Sequence, residues 1–128
     1  MSIGSTTPEQ VAGLAAEDAA ARFLERNGLT ILARNYRTRL GEIDLIARDG
    51  ATLVFVEVRM RANERCGGGA ESIGWRKRAR IEAAARQYLA HIRREPPCRF
   101  DVVTLDRGVP VWLRGAFEAR EVTSSYAS

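Results

Sequence analysis

Residues 52–60 read TLVFVEVRM, an apolar and β-branched run in which Glu57 is the only acid. Successive side chains of a strand point to opposite faces of a sheet, and here both sets of positions around Glu57 are apolar. A strand that is apolar on both sides is typical of a central strand with both faces covered. We therefore expect a layered α/β fold with this strand near the centre of its sheet.

Flanking patterns extend this prediction to most of the chain. Thr7-Pro8 has the cap and the first-turn proline of a helix start, and Asp49-Gly50 predicts a hairpin turn just before the central strand. The predicted elements are a helix stopping near Asn27-Gly28, strands over residues 29–36, 42–48 and 52–60, a helix over residues 75–94, and strands over residues 99–105 and 109–113. This order, αβββαββ, predicts a mixed central sheet flanked by two helices.

Size and composition restrict the class of protein. The 128 residues, 45% of them hydrophobic, suit a single domain over residues 1–128, and we expect flexible ends at residues 1–6 and 122–128. No run approaches the ~18 consecutive apolar residues of a membrane span. The first residues lack the basic start and apolar run of a secretory signal, and two cysteines are too few for a disulfide framework. These observations predict a cytoplasmic protein with no membrane partner.

The net charge of +4 is concentrated in the middle of the chain. Residues 51–100 carry ten arginines and Lys77 against five acids, whereas the stretch on either side has one more acid than base. A concentrated basic region is typical of proteins that bind a polyanion such as nucleic acid, although basic faces also occur on proteins that do not. Lys77 is the only lysine among the 20 basic residues.

Several common kinds of site find no support in the sequence. Cys66, Cys98 and the lone His91 lack the spacing of a zinc site. The glycines at 67–69 are not followed by the lysine of a phosphate-binding P-loop. There is no Gly-x-Ser-x-Gly elbow for a serine hydrolase.

Two acids occupy strands where burial of a carboxylate is costly. Asp44 lies in EIDLI and Glu57 in FVEV, and the Asp49-Gly50 turn would bring them together near the open end of the hairpin. Converging carboxylates attract a divalent cation, and their hard oxygens favour Mg²⁺ or Mn²⁺. Arg59 follows Glu57 by two residues, so both point to the same face. The alternative is an edge strand that carries surface ion pairs.

The residues around this pair resemble a known family. The segments GEIDLIA at 41–47 and VFVEVRMR at 54–61, with RNYR at 34–37 and RFDVV at 99–103, resemble the YraN-type family of small bacterial proteins. That family is placed in the restriction-endonuclease-like, PD-(D/E)xK nuclease superfamily, close to archaeal Holliday junction resolvases. The resemblance implies a restriction-endonuclease-like α/β fold with an αβββαβ core.

The resemblance also implies roles for individual residues. Asp44 and Glu57 would be metal ligands, together with the backbone carbonyl of Val58. Glu17 on the first helix would match the acid that completes the site in resolvase-like members, or else be a solvated helix residue. The implied reaction is hydrolysis of a phosphodiester with Mg²⁺ or Mn²⁺ as cofactor.

One position departs from the superfamily pattern. The motif lysine is replaced by Arg59, and a guanidinium cannot act as a base because it stays protonated in proteins. It can still stabilise charge in the transition state. Lys77 could replace the missing amine from elsewhere, or it could belong to the basic start of the second helix. Asp101, a third strand acid, could support the site from outside or pair with an arginine of the adjacent strand.

The basic helix start and the preceding loop form the predicted nucleic-acid surface. Its residues are Arg61, Arg65, Arg76, Lys77, Arg78 and Arg80. We predict a metal-dependent DNA endonuclease, with catalytic residues Glu17, Asp44, Glu57 and Arg59, that acts on branched or distorted DNA, with a homodimer as a possible assembly. The alternatives are a weak or inactive nucleic-acid-binding module of the same fold and an adaptor whose basic helix binds an acidic protein.

Overall fold

The computed structural model describes residues 7–61 and 73–118. Its elements are α1 (Pro8–Arg26), β1 (Thr30–Arg37), β2 (Glu42–Asp49), β3 (Thr52–Arg61), α2 (Trp75–Ile92), β4 (Cys98–Asp106) and β5 (Val109–Phe117). The expected order αβββαββ and the mixed α/β fold class are confirmed. The predicted loop at residues 66–69 and the predicted flexible ends lie outside the described residues.

The five strands form one sheet in the order β1-β2-β3-β4-β5, so the predicted central strand is the middle one. All neighbours are antiparallel except β3 and β4, which are parallel and are joined through α2. A parallel pair needs a long crossover connection, and α2 lies within it. The sheet is therefore mixed, with one helix on each face, as in the restriction-endonuclease-like fold.

Each helix covers one face of the sheet with small and branched side chains. Ala20, Ala21 and Leu24 of α1 pack with Val54 and Val56 of β3. On the other face, α2 packs against the sheet through Ile81, Ala84 and Ala85, beside Phe55, Phe100 and Ile46. Neither described helix has the length and apolar character that crossing a membrane requires.

Two boundaries differ from those expected. Strand β5 continues to Phe117 rather than to residue 113, because Phe117 pairs with Phe100 and stacks on its ring at 4.9 Å. Helix α2 ends at Ile92 rather than residue 94, because Arg93 takes a left-handed conformation with φ 59° that closes the helix. Both changes are at the C-terminal ends of their elements, and neither affects a predicted site residue.

The turn between β1 and β2 is fixed against α2. The Thr38 hydroxyl accepts hydrogen bonds from the backbone N–H groups of Leu40 and Gly41. Gly41 contacts the backbone of Arg80 so closely that a Cβ there would overlap the Arg80 carbonyl. The start of α2 is thereby held beside the open end of the β2–β3 hairpin.

Candidate metal centre

Asp44 and Glu57 meet at the open end of the β2–β3 hairpin, as the sequence predicts. The paired register of these strands runs from Asp49–Thr52 to Leu45–Val56. Just beyond it, Asp44 Oδ2 accepts a hydrogen bond of 2.8 Å from the backbone N–H of Val58. A side-chain carboxylate thus takes the place of a strand carbonyl, which turns Asp44 toward β3.

The neighbouring strand is distorted at the same level. Asn35 lies between the pairs Arg34–Leu45 and Tyr36–Ile43, and therefore opposite Asp44. It has φ 51°, in the left-handed region that Asn tolerates better than most residues. Such backbone conformations cluster at functional sites because the surrounding structure must enforce them.

The two carboxyl groups influence each other through burial and mutual repulsion. Glu57 is 7% exposed. Desolvation first, and the adjacent Asp44 carboxyl second, raise the pKa of Glu57 to about 7. Burial also raises the pKa of Asp44, against the lowering effect of its hydrogen bond from Val58. The two carboxyl groups therefore lie close enough for each to shift the pKa of the other.

Lys77 of α2 adds a positive charge beside the two carboxyl groups. Its Nζ lies 3.1 Å from Glu57 Oε2, with the Lys77 side chain half exposed and Glu57 buried. Lys77 lies in the first turn of α2, which the Gly41–Arg80 contact holds in place. The sequence allowed Lys77 either to replace the motif lysine or to belong to the basic start of α2. In the structure it is in the first turn of α2 and its ammonium contacts the Glu57 carboxylate.

Glu17 lies next to this pair without joining it in one cluster. It is half-buried on α1 and lines a cleft of about 360 Å³ with Gln10, Gly13, Leu14, Asn35 and Arg37. Burial first, and then the charge of Asp44, raise the pKa of Glu17, whereas a hydrogen bond with Asn35 lowers it. Within residues 7–61 and 73–118, no three His, Cys, Asp or Glu side chains approach closely enough to hold one metal ion.

Val58 and Arg59 follow Glu57 along β3. The N–H and C=O of one strand residue point toward the same neighbouring strand, so the Val58 carbonyl is directed to the side on which its N–H meets Asp44. Arg59 is half-buried and pairs in register with Thr104 of β4. Because side chains alternate, Arg59 shares the Glu57 face of the strand.

The predicted basic surface is divided among different environments. Arg76 is exposed and its guanidinium lies 5.4 Å from the centre of the exposed Trp75 ring. Arg78 is half-buried over the Phe117 ring at 5.3 Å, whereas Arg80 is exposed. The side chain of Arg61 and all of Arg65 lie outside the described residues.

Asp101 does not belong to the site. It pairs in register with Val56, whose side chain faces α1, whereas Glu57 faces α2. Its carboxylate is fully buried and accepts hydrogen bonds from Arg99, the Trp112 indole and the Gly115 backbone. The sequence offered two roles for Asp101: support of the site or an ion pair with an arginine of the adjacent strand. The structure shows an ion pair, but with Arg99 of the same strand.

The sequence comparisons agree with the resemblance drawn from these motifs. The family model described as "Uncharacterised protein family UPF0102" matches residues 16–105. The chain belongs to this family. It is 50% identical over 113 residues to a UPF0102 protein of Janthinobacterium sp. (strain Marseille), covering 88% of this chain and 92% of that one.

Two further UPF0102 relatives illustrate the extent of the match. The protein from Albidiferax ferrireducens is 59% identical, over 84% of this chain and 88% of its own length. The protein from Burkholderia mallei is 56% identical, over 84% of this chain and 75% of its own length. The UPF0102 match begins at residue 16, so it contains Glu17, Asp44, Glu57, Arg59 and Lys77.

Proposed function

We propose that this UPF0102 protein is a metal-dependent DNA endonuclease that hydrolyses phosphodiesters in branched or distorted DNA. The observation that carries the proposal is the convergence of Asp44 and the buried Glu57 at the open end of the β2–β3 hairpin, with the ammonium of Lys77 against Glu57. Structural carboxylates are usually neutralised by partners, as Asp101 is by Arg99 and the Trp112 indole. The pair instead sets two buried carboxyl groups, which repel each other, against the single ammonium of Lys77, an arrangement typical of a site built for a cation.

The donor set fits Mg²⁺ or Mn²⁺. Two carboxylates and the Val58 carbonyl are hard oxygen ligands, which both ions prefer. Bound there, the metal would polarise the scissile phosphate and lower the pKa of a water molecule. The raised pKa of Glu57 has repulsion from Asp44 among its causes, so a divalent cation would favour the ionised form of both side chains. Metal binding would accordingly release a proton.

Lys77 and Arg59 would together perform the roles of the single lysine in the superfamily motif, with proton transfer assigned to Lys77 and charge stabilisation to Arg59. An ammonium can lose a proton when its surroundings favour the neutral amine, whereas a guanidinium stays charged. Lys77 touches the Glu57 carboxylate and can hold that side chain in position, and a cation bound by Glu57 would weaken this ion pair and make the ammonium a better proton donor. Arg59, on the same face of β3, would stabilise negative charge on the phosphate.

Binding of DNA would use the solvent-facing start of α2. Arg76 and Arg80 are exposed there, next to Lys77. Arginines in such a position contact phosphates without reading bases, so DNA shape rather than sequence would select the substrate. Arg61 and Arg65 belong to the same predicted surface.

A second candidate function is DNA binding without cleavage. The observation in its favour is Arg59 at the lysine position, together with the ion pair that already occupies Glu57. In that case the fold and the basic face of α2 would be retained while the hydrolytic reaction was lost.

Cleavage of duplex, flap and four-way-junction DNA with Mn²⁺ tests the proposal. Wild type should cut at least one branched substrate, and Asp44→Ala should abolish cutting. Asp18→Ala is the matched control, because Asp18 is a half-exposed α1 aspartate paired with Arg22 and Arg34. Binding without cutting by the wild type would favour the second candidate. No DNA affinity at low salt would overturn both and favour an adaptor for an acidic protein.

A further inference from the structure

A groove on the outer face of α2 is separate from the acid pair. It lies between the exposed Leu40 of the β1–β2 turn and α2, and has a volume of about 500 Å³. The α2 residues that line it are Ala83, Arg86, Gln87, Ala90 and His91. The two alanines leave room between the longer side chains. Among the described residues that line it, Arg86, Gln87 and His91 can donate hydrogen bonds and none carries a carboxylate.

Arg86 makes this groove chemically unusual. Its Nη1 atom is buried and has no hydrogen-bond partner among the residues that the structure describes. A buried donor without a partner is costly, and more so when it belongs to a charged group. By contrast, the guanidinium of Arg99 contacts both Asp49 and Asp101. Because Arg86 lines the groove, an anionic oxygen there would gain its guanidinium as a partner, and the enclosed Nη1 would have to turn toward that oxygen to share in the contact.

The groove continues the exposed basic face of α2. With a rise of about 1.5 Å per residue, Arg86 lies about 9 Å along the helix axis from Arg80 and about 15 Å from Arg76. All three are within the sector of α2 that faces away from the buried Ile81 and Ala85. A row of anion-binding groups at such intervals suits a polymer of phosphates better than a single small anion.

We infer that this groove binds a backbone phosphate of the nucleic acid, with Arg86 as its main ligand. Gln87 and His91 offer further polar groups, and Leu40 supplies apolar contact for the adjoining sugar. This inference rests on the proposed function, because it assigns a second contact to the same DNA. The contact would lie on the far side of Arg80 from Lys77 and would fix the direction in which a strand crosses α2.

The salt dependence of DNA binding tests this assignment. Anisotropy of a fluorescent 20-base-pair duplex is measured in EDTA, so that no strand is cut, for wild type, Arg86→Met and Arg22→Met. Each lost phosphate contact lowers the slope of log affinity against log salt by about 0.9. Arg86→Met should lose one contact. Arg22→Met should keep the wild-type slope, since it removes the same charge from an exposed α1 position paired with Asp18.

The possible outcomes separate this inference from the proposed function. Equal slopes for the two variants, with tight binding by wild type, would overturn the groove assignment and leave DNA binding intact. Absence of DNA binding by wild type would overturn both, and binding of an acidic peptide instead would identify a protein partner. Methionine preserves the packing stem of Arg86 and removes its unpaired donor, so urea unfolding should give Arg86→Met a midpoint no lower than that of wild type.

Discussion

The ammonium of Lys77 lies 3.1 Å from the buried carboxylate of Glu57, although the two residues belong to different layers of the fold. Glu57 is on the middle strand of the sheet and Lys77 is in the first turn of α2. The sequence motif would place a lysine at position 59, two residues further along the same strand. In this chain the only lysine reaches the same acid from the helix above it.

The first prediction concerns exchange of these two basic positions. Lys77→Ala should reduce the cleavage rate by about 10²–10⁴-fold, the usual contribution of a group that transfers a proton. Arg59→Lys introduced into Lys77→Ala should restore a substantial part of that rate, because it returns an amine to the Glu57 face. Single-turnover cleavage of the preferred branched substrate with Mn²⁺ gives both values.

A lysine that only contacts DNA would behave differently. Its loss would raise the concentration of protein needed for half-maximal rate, and Arg59→Lys would restore nothing. Lys77→Arg is the second control, since it retains positive charge beside Glu57 but does not lose a proton. We expect it to bind DNA as wild type does and to cleave as poorly as Lys77→Ala.

The second prediction concerns pH. The pKa of Glu57 rises from its ordinary 4.5 to about 7 on folding, so the folded protein binds more protons than the unfolded chain between these values. The free energy of unfolding should therefore fall as pH rises through this window, by on the order of 3 kcal/mol from this group. Glu57→Gln should remove that slope. Urea unfolding in EDTA at pH 5 and pH 8 measures it.

Metal provides a further arm of the same experiment. Ligand carboxylates must be ionised to bind, so Mg²⁺ or Mn²⁺ should stabilise wild type more at pH 8 than at pH 5. The exposed carboxyl of Glu95 gives the matched control, and Glu95→Gln should keep the wild-type slope and metal response. Equal pH slopes for wild type and Glu57→Gln would contradict the joint burial of the pair.

The third prediction concerns the contact between the β1–β2 turn and α2. A Cβ on Gly41 would overlap the carbonyl oxygen of Arg80 and lie 2.7 Å from its carbonyl carbon. Gly41→Ala should therefore destabilise the protein by about 1–3 kcal/mol and weaken the Lys77–Glu57 pair as α2 is displaced. A Cβ on Gly13 in α1 would meet open space, and Gly13→Ala should stabilise the protein by about 0.5–1 kcal/mol. Urea unfolding of both variants checks the difference.

The fourth prediction separates structural from functional acids. Asp101→Asn leaves Arg99 without its buried carboxylate partner and sets an amide against other donors, so a loss of about 3–5 kcal/mol is expected. Affinity for Mn²⁺ per folded molecule should be unchanged, because Asp101 faces α1. Asp106→Asn, at the other end of β4, is the control for stability. A large loss of metal affinity in Asp101→Asn would place this acid in the site after all.

The sequence predicts the acid pair well because its geometry is local. One hairpin carries Asp44 and Glu57, and the Asp49-Gly50 turn fixes which residues face each other. The position of Lys77 is not predictable in this way, since it depends on how α2 packs across the sheet. The hydrogen-bond partners of Asp101 were equally unpredictable from the sequence, because Trp112 and Gly115 contact it only through the pairing of β5 with β4.

The groove at Arg86 is a second feature that the sequence could not predict. Arg86 reads in the sequence as one more basic residue of an amphipathic helix. The groove that it lines depends on the alanines beside it and on the position of the β1–β2 turn. Arg78 likewise counts toward a basic surface in the sequence but packs over the Phe117 ring in the structure.

The parallel pairing of β3 with β4 has a consequence for the order of folding. A hairpin forms within microseconds, whereas a parallel pair must wait for its crossover to close. Asp44 and Glu57 therefore approach each other before α2 can deliver the ammonium of Lys77. During that interval a proton is the available counter-charge, so hairpin formation should be fastest in mildly acidic solution. We therefore expect the Lys77–Glu57 ion pair to form after the two carboxyl groups have met.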